Sequence, residues 1–461
     1  MGDYFGMEKV MEFNELNVLV VGTGVSGIAA TNLLVKAGAN VCLYDGNKDA
    51  DPVVIKKKLK ISDNVSILVG ELTDKIKEKT SLVVLSPGVP TDIDFVEEFI
   101  KRDVKVWGEI ELAWAFHKGK IVGITGTNGK TTTTALTGQI MEEYFNSVFV
   151  VGNIGIPYTQ MVKKTKENSV TVAELSSFQL ETIEKFHPNV SMVLNITPDH
   201  LNRHHTMDNY IDAKFNITMN QTKDDVCVLN YEDEVLRERG ENLECRVVYF
   251  SSKRKLDKGL YLEGDKIVYN NSKEIIEIID INDLNILGEH NYENVMAASA
   301  AALEMGVSLE ALQSALKKFQ AVEHRIEYVA EKNGVKYYND SKGTNPDAAI
   351  KAINAMRTKT VLIGGGYDKD SEFTEWIKSF NGKVKKLVLI GQTAEKIAED
   401  AKKCGFEDYC FADSLEEAVE ICKKTATPGE CVLLSPACAS WGMFKNFEER
   451  GNIFKELVKA M

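Results

Sequence analysis

Short hydrophobic runs alternate with longer mixed stretches along the N-terminal part of the chain. Apolar runs occur at NVLVVG (17–22), VCLYD (41–45), SILVG (66–70) and LVVLSPG (82–88). A helical stretch at 25–37 lies between the first two runs. Strands that alternate with helical segments predict a parallel, doubly wound sheet.

The second part of the chain begins with KIVGIT (120–125), followed by a helix that extends to about Tyr144. Further strands are predicted at 147–153, 170–176, 190–197 and 225–230. From about residue 246, RVVYFSS and GLYLEGDKIVYNN predict antiparallel hairpins, with a turn at Gly264-Asp265. Helices are predicted at 291–306 and 307–319.

A third alternation begins near residue 321, with strands predicted at 335–340, 360–366, 385–391 and 430–437. No low-complexity linker interrupts the chain. We therefore predict an α/β fold with three domains, covering 1–108, 109–320 and 321–461. The first and last are predicted to be Rossmann-like, and the central one is predicted to be a P-loop ATPase-like mixed sheet.

The amino-acid composition indicates which binding partners and which cellular compartment to expect. The chain has 461 residues, of which 44% are hydrophobic, and a net charge of −13, so nucleic acid and anionic membranes are poor candidate partners. Its eight cysteines form no C-x-x-C pair, which favours buried thiols in a reducing compartment. No apolar signal segment starts the chain, and no run approaches the ~20 residues of a membrane span. We expect a soluble, cytoplasmic monomer.

The stretch GITGTNGKTTT (123–133) follows a predicted strand and starts a helix. It is shorter than the usual G-x-x-x-x-G-K-[ST] loop, because Ile124 occupies the position where the first glycine would be. Its candidate phosphate-binding residues are Gly126, Thr127, Asn128, Gly129, Lys130, Thr131 and Thr132. Backbone N–H groups at a helix N-terminus favour anions, Lys130 would neutralise phosphate charge, and Thr131 would bind Mg²⁺. The loop predicts binding of a nucleoside triphosphate.

A second glycine-rich turn, GTGVSG (22–27), also lies between a strand and a helix. Asp45 ends the next strand, where an acid that binds ribose is found in dinucleotide domains. The turn therefore favours a nucleotide or nucleotide-sugar diphosphate, with NAD as one candidate. A turn that serves packing alone is the simpler alternative.

Two further predicted strands end at possible metal ligands, Glu174 and His200. Because strand carboxyl ends converge in open α/β sheets, both side chains could share the phosphate site and bind a divalent metal. A zinc site formed by His200, His204 and His205 is disfavoured, since no fourth ligand has suitable spacing. From the residues alone, Lys214 is a solvated lysine on a helix.

The third part supplies polar groups around predicted strand ends. Arg325 lies just inside the domain boundary, and Asp340 and Lys342 lie at a strand-to-helix junction. The segment 433–451 contains Ser435 and Ser440 after a strand, with two phenylalanines beyond them.

Together these motifs resemble the Mur ligases, the ATP-dependent amide-forming enzymes of peptidoglycan precursor synthesis, whose phosphate loop is the short form G-T-N-G-K-T/S. The resemblance covers essentially the whole chain, in SPGVP (86–90), GEIELA (108–113), GNIG (152–155), NITPDH (195–200), AKFNI (213–217), GEHNYENV (288–295), NDSKGTN (339–345) and SPACAS (435–440). Within the family, ELSSFQLE (174–181) and the segment 435–451 resemble members that add D-glutamate to UDP-N-acetylmuramoyl-L-alanine.

The resemblance implies the following roles. The UDP-sugar would be held by Ser26, Asp45, Ser86 and Asn153, and D-glutamate by Lys342, Thr344, Ser440 and Phe447. ATP would contact the phosphate loop together with Asn291, Asn294, Arg325 and Asp340. Two Mg²⁺ ions would be bound by Thr131, Glu174, His200 and Lys214, of which Lys214 would be carbamylated. Lys130, His200 and Lys214 would be catalytic.

The departures from the family pattern are small. Gly343 replaces a frequent alanine, and Trp441-Gly442-Met443 replaces a Leu-Asp-Gln-like run. Three alternatives remain. A nicotinamide-dependent oxidoreductase would leave the loop at 126–131 unexplained, and a ligase that makes folate polyglutamates would lack a UDP-binding first domain. The third alternative is a non-catalytic nucleotide-binding regulator.

Overall fold

The computed structural model describes residues 12–60, 64–153, 155–320, 323–369 and 371–461. The predicted boundary at 320/321, the N-terminal stretch 1–11 and Ile154 of the GNIG segment lie wholly or partly outside these residues. The chain forms two compact units. One contains the described residues up to Ile278 with Glu293–Ala315, and the other contains Ile279–Tyr292 with Leu316–Met461.

The first sheet has five parallel strands in the order β3-β2-β1-β4-β5. Its strands are β1 (Asn17–Val21), β2 (Asn40–Asp45), β3 (Val65–Val69), β4 (Leu82–Leu85) and β5 (Lys105–Gly108). The accompanying helices are α1 (Val25–Lys36), α2 (Pro52–Lys58), α3 (Asp74–Lys79), α4 (Asp94–Lys101) and α5 (Glu109–Trp114). The strand order reverses at β1, so a ligand crevice is expected at the carboxyl ends of β1 and β4.

The second sheet has nine strands in the order β14-β13-β12-β11-β10-β9-β6-β8-β7. They are β6 (Lys120–Thr125), β7 (Val148–Gly152), β8 (Val170–Glu174), β9 (Val190–Val193), β10 (Val226–Asn230), β11 (Arg246–Ser251), β12 (Gly259–Glu263), β13 (Lys266–Asn270) and β14 (Ile275–Asp280). Its helices are α6 (Lys130–Tyr144), α7 (Tyr158–Met161), α8 (Ser177–Leu180), α9 (Leu201–His204), α10 (Met207–Phe215), α11 (Glu234–Gly240), α12 (Glu289–Glu304) and α13 (Leu309–Lys318). Strand β6 lies between β8 and β9 and is parallel to both, so the segments that follow these three strands meet at one edge.

The third sheet has six strands in the order β15-β16-β20-β17-β18-β19. They are β15 (Glu327–Lys332), β16 (Val335–Asn339), β17 (Thr360–Gly364), β18 (Val384–Leu389), β19 (Tyr409–Phe411) and β20 (Cys431–Leu434). Its helices are α14 (Pro346–Ala355), α15 (Thr374–Lys378), α16 (Ala394–Lys403), α17 (Leu415–Thr425) and α18 (Phe447–Lys459). Short 3-10 helices elsewhere cover Val162–Lys164, Asn216–Thr218 and Ile281–Asp283.

The three α/β sheets predicted from the sequence are confirmed, but two strand assignments are corrected. The hairpin across Gly264-Asp265 is antiparallel, as predicted, whereas β11 pairs in parallel with both β10 and β12. The pattern also missed β15, which pairs antiparallel with β16 and makes the third sheet mixed. Local apolar periodicity identifies a strand but carries no information on the direction of its partner.

Candidate active site

The segment 126–129 connects β6 to α6 and is built around two glycines. Gly126 and Gly129 have φ of 145° and 86°. A Cβ on Gly129 would lie 2.5 Å from the side-chain oxygen of Asn294, so a larger residue does not fit. Because α6 begins without an acidic first turn or a side-chain cap, its N-terminal N–H groups remain available to an anion.

Asn195, which follows β9, holds this loop in place. Its backbone oxygen accepts from the N–H of Thr127 at 2.9 Å, and its side-chain oxygen accepts from the N–H of Asn128 at 2.8 Å. Its amide also donates to the carbonyl of Asn128. Sequence reasoning gave Asn195 no role, although it lies within the NITPDH segment.

Lys130 lies folded over the loop that carries it. Its Nζ donates to the carbonyls of Gly126 at 2.8 Å and Thr127 at 2.9 Å. Burial lowers the pKa of Lys130, and the carboxylates of Glu174 and Asp199 oppose that effect. A cation is therefore held directly at the N-terminus of α6, which is where phosphate charge would lie.

Glu174 is buried at the end of β8, opposite Ile124 of β6 and Gly152 of β7. Its Oε1 accepts from the side-chain amide of Asn153 at 3.0 Å. The structure thus places Asn153, which the resemblance assigned to the UDP-sugar, beside the predicted metal ligand.

His200 is half exposed and has a left-handed backbone with φ of 53°. Its ring lies 4.9 Å from that of Phe178, and its Nε2 is 3.5 Å from Asp199. His204 instead contacts Ser177, and His205 contacts Asp92. Within the described part of the chain, no three His, Cys, Asp or Glu side chains are grouped as a metal site.

The donor set nevertheless fits Mg²⁺. Thr131 would supply a hydroxyl and Glu174 a carboxylate, and Mg²⁺ is commonly held by one or two carboxylates together with waters and substrate phosphates. A cluster of several protein ligands is therefore not required for this ion.

Lys214 is buried, so the expectation of a solvated lysine, drawn from the residues alone, is wrong. Its side chain lies on α10 and is 2% exposed. The Nζ donates to the carbonyl of Gly126 at 2.8 Å and lies 4.7 Å from the Tyr210 ring centroid. Burial, followed by the charge of Lys130, lowers the pKa of Lys214 to about 7. Lys130 and Lys214 therefore share one carbonyl oxygen.

The first-domain crevice is formed where β1 and β4 end. A Cβ on Gly22 would lie 2.6 Å from Ser86 Oγ, so the glycine brings the loop against this serine. Ser86 Oγ is buried without a hydrogen-bond partner among the described residues. Asp45 accepts hydrogen bonds from Thr23 and from the N–H of Asn47, while Ser26 lies half buried in the first turn of α1. An unsatisfied buried hydroxyl is a reason to expect a polar ligand or water there.

In the second unit, Asp340 follows β16 and Ser435 follows β20. Ser435 Oγ donates to Asp340 Oδ2 at 2.7 Å, and burial raises the pKa of Asp340 to about 7. Lys342 and Phe447 come together, with Nζ 5.7 Å from the ring centroid. Ser440 is buried, Thr344 is half buried and Arg325 is exposed.

The two predicted asparagines of α12 have different surroundings. Asn291 donates to the carbonyl of Leu287 at 2.8 Å, within the second unit. Asn294 accepts from Thr133 Oγ1 at 3.1 Å and so lies against the helix that starts at the phosphate loop.

Gly343, which stands where alanine is frequent in the family pattern, is required by the packing around Asp340. A Cβ there would lie 2.4 Å from Asp340 Oδ2 and 3.2 Å from Ser435 Oγ.

We expect Gly343→Ala to lower the free energy of unfolding by about 1–3 kcal/mol, the usual range for overpacking. Urea denaturation measures it. In an Asp340→Ala background the same change should cost much less, and an equal cost in both backgrounds would contradict the assigned clash.

Family models match most of the chain. A Mur ligase MurD-like N-terminal domain matches residues 16–108, a Mur ligase middle domain 124–302, and a Mur ligase glutamate ligase domain 324–438. Mur ligases of known structure share the fold. MurC from Thermotoga maritima superimposes with a TM-score of 0.56 at 20% identity, covering 96% of this chain and 99% of its own. MurF from the same organism, in complex with ADP, gives 0.55 at 17% identity, covering 98% and 97%.

The chain belongs to the Mur ligase family. Within that family it is similar to proteins named UDP-N-acetylmuramoylalanine--D-glutamate ligase. The one from Lachnoclostridium phytofermentans is 57% identical over 98% of this chain and 99% of its own length. The one from Lachnospira eligens is 56% identical over 98% and 100%. No helix in the described ranges combines the length and apolar character needed to cross a bilayer.

Proposed function

We propose that this chain is an ATP-dependent, ADP-forming ligase that adds D-glutamate to UDP-N-acetylmuramoyl-L-alanine in peptidoglycan precursor synthesis. The observation that carries the proposal is the convergence of Lys130 and Lys214 on the carbonyl of Gly126, at the N-terminus of α6. The similarity to D-glutamate ligases over nearly the whole chain supplies the substrate class.

The chemistry requires activation of a carboxylate, which is a poor acyl donor because it has no leaving group. A substrate carboxylate oxygen forms a bond to the γ-phosphorus of ATP, the bond from that phosphorus to the β-bridging oxygen breaks, and ADP leaves. The amine of D-glutamate then attacks the acyl carbon, loses a proton, and phosphate departs. These steps concentrate negative charge, which Lys130 and the N–H groups of the loop would stabilise.

Mg²⁺ would be held by Thr131, Glu174, His200 and a carbamylated Lys214, with two ions in the site, and would neutralise phosphate charge. Carbamylation turns a cation into an anionic ligand, and it needs the neutral amine that a lowered pKa provides.

The UDP-sugar would be held by Ser26, Asp45, Ser86 and Asn153. Asn291, Asn294, Arg325 and Asp340 would contact ATP, and Lys342, Thr344, Ser440 and Phe447 would surround D-glutamate. We propose a cytoplasmic location, because ATP and nucleotide-sugars are cytoplasmic.

Phosphate release with UDP-N-acetylmuramoyl-L-alanine tests this function, with D-Glu, L-Glu, L-Ala and diamino acids as candidate acceptors. We expect turnover with D-Glu that requires ATP and Mg²⁺ as well as both substrates. Product formation without ATP, or preference for another acceptor, would contradict the proposal. A change in NADH absorbance without ADP release would favour an oxidoreductase instead.

A further inference from the structure

A groove of about 410 Å³ runs along α1 on the side where α7 packs. It starts at Thr23 and Gly24 of the glycine-rich loop and extends down the helix to Lys36. Thr159 and Gln160 of α7 form part of the opposite wall, and Lys58 and Lys60 line the far end. Its volume lies in the ordinary range for small-molecule sites.

The groove is basic, although the chain as a whole is acidic. Lys36, Lys58, Lys60 and Lys163 line it, and no acidic residue is among its described lining residues. None of the four lysines forms an ion pair with a described residue. Partial burial lowers the pKa of Lys163, and the positive charge of Lys36 lowers it further. Lys36 and Lys163 thus line one groove without an ion-pair partner among the described residues, and the Nζ of Lys163 lies 5.3 Å from the ring centroid of Phe116.

The rest of the wall is largely apolar. Ile28, Ala29 and Leu33 line it from α1, and Val25, which is 70% exposed, lies at the upper end. A concave apolar wall edged by unpaired cations is complementary to an amphipathic anion, because the body gains from burial and the acid group from the lysines.

We propose that this groove binds a small molecule that carries phosphate or carboxylate groups on an apolar body. Because the groove shares Thr23 and Gly24 with the turn assigned to the UDP-sugar, its occupant also weakens binding of that substrate. This second part rests on the proposed function, whereas the existence of the site does not.

Anilinonaphthalene sulfonate, an apolar anion whose fluorescence rises on burial, is a suitable probe for the full chain. We expect saturable binding that Lys36→Ala/Lys163→Ala weakens by about tenfold or more, through loss of two positive charges that line the groove. Lys36→Arg/Lys163→Arg should retain most of the affinity. Lys75→Ala, an exposed lysine of α3 outside the groove, should not change it.

Inorganic pyrophosphate provides a test that needs no variant, since it should displace the dye from the wild-type chain. The site is overturned if the double alanine variant binds the dye within about twofold of wild type, or if pyrophosphate displaces none of it.

The coupling is measured by titrating the dye with and without UDP-N-acetylmuramoyl-L-alanine. We expect the substrate to weaken dye binding, and the dye to weaken substrate binding by the same factor. Unchanged dye affinity, when calorimetry shows that the substrate binds, would overturn the coupling. If calorimetry shows no substrate binding at all, the proposed function fails and the lysine variants still decide the groove.

Discussion

Replacing Lys130 with alanine should lower kcat by about 10²–10⁴ while the fold is retained. Its Nζ hydrogen-bonds to two carbonyls of its own loop, and the nearby buried carboxylate of Glu174 keeps its hydrogen bond from Asn153 when Lys130 is removed. The lost positive charge at the N-terminus of α6 would otherwise stabilise the charge that develops on the transferred phosphoryl group. Steady-state phosphate release gives the rate, and far-ultraviolet circular dichroism gives the fold.

Lys120→Ala is the matched control, because this exposed lysine starts β6 at the opposite end from the loop. Its activity should stay close to that of wild type. A Lys130→Ala variant that keeps most of the wild-type kcat would refute the assignment of 126–131 as the phosphate loop.

The conformation of the loop at 126–129 was predictable because its requirements are local. Gly126 and Gly129 must adopt positive φ, Lys130 must follow them, and a strand and a helix must flank the turn, all of which can be recognised in the sequence. The sheets were predictable for the same reason, since alternating strands and helices are local patterns.

Other features depend on contacts between distant segments. The parallel pairing of β11 depends on which neighbouring strands it meets, which its own periodicity does not specify. Asn195 supports the loop across a large separation in sequence, and nothing in its immediate neighbours indicates that contact. Lys214 shows the limit most clearly, because α10 has no pattern that distinguishes a buried lysine from a solvated one.

The structure explains one of the two departures from the family pattern in the third domain but not the other. The family pattern often has alanine where this chain has Gly343, and the position of Asp340 Oδ2 explains why glycine suits this chain. The exposed run Trp441-Gly442-Met443 has no such explanation; the ring of Trp441 contacts Tyr367 and Lys369.

Lys214→Ala should lose most activity, and short carboxylic acids such as acetate should restore part of it. If Lys214 acts as a carbamate, the alanine variant lacks an anion near the proposed metal ligands, which an added acid can replace. With its pKa lowered to about 7, the buried amine is mostly neutral at pH 8 and can react with carbon dioxide. Activity should therefore fall as the pH drops below about 7, where the protonated amine cannot be carbamylated.

The matched variant is Lys214→Arg, which keeps a positive charge but stays protonated and cannot form the carbamate. It should remain inactive, and added ethylamine should not rescue Lys214→Ala, because an ammonium is the wrong charge. Carbon dioxide-free buffer should lower wild-type activity, and isotope-labelled bicarbonate should label the wild-type chain but not the arginine variant. Rescue by amines and not by acids, or an active arginine variant, would show that Lys214 acts as an ammonium on the carbonyl of Gly126, in the arrangement that the structure describes.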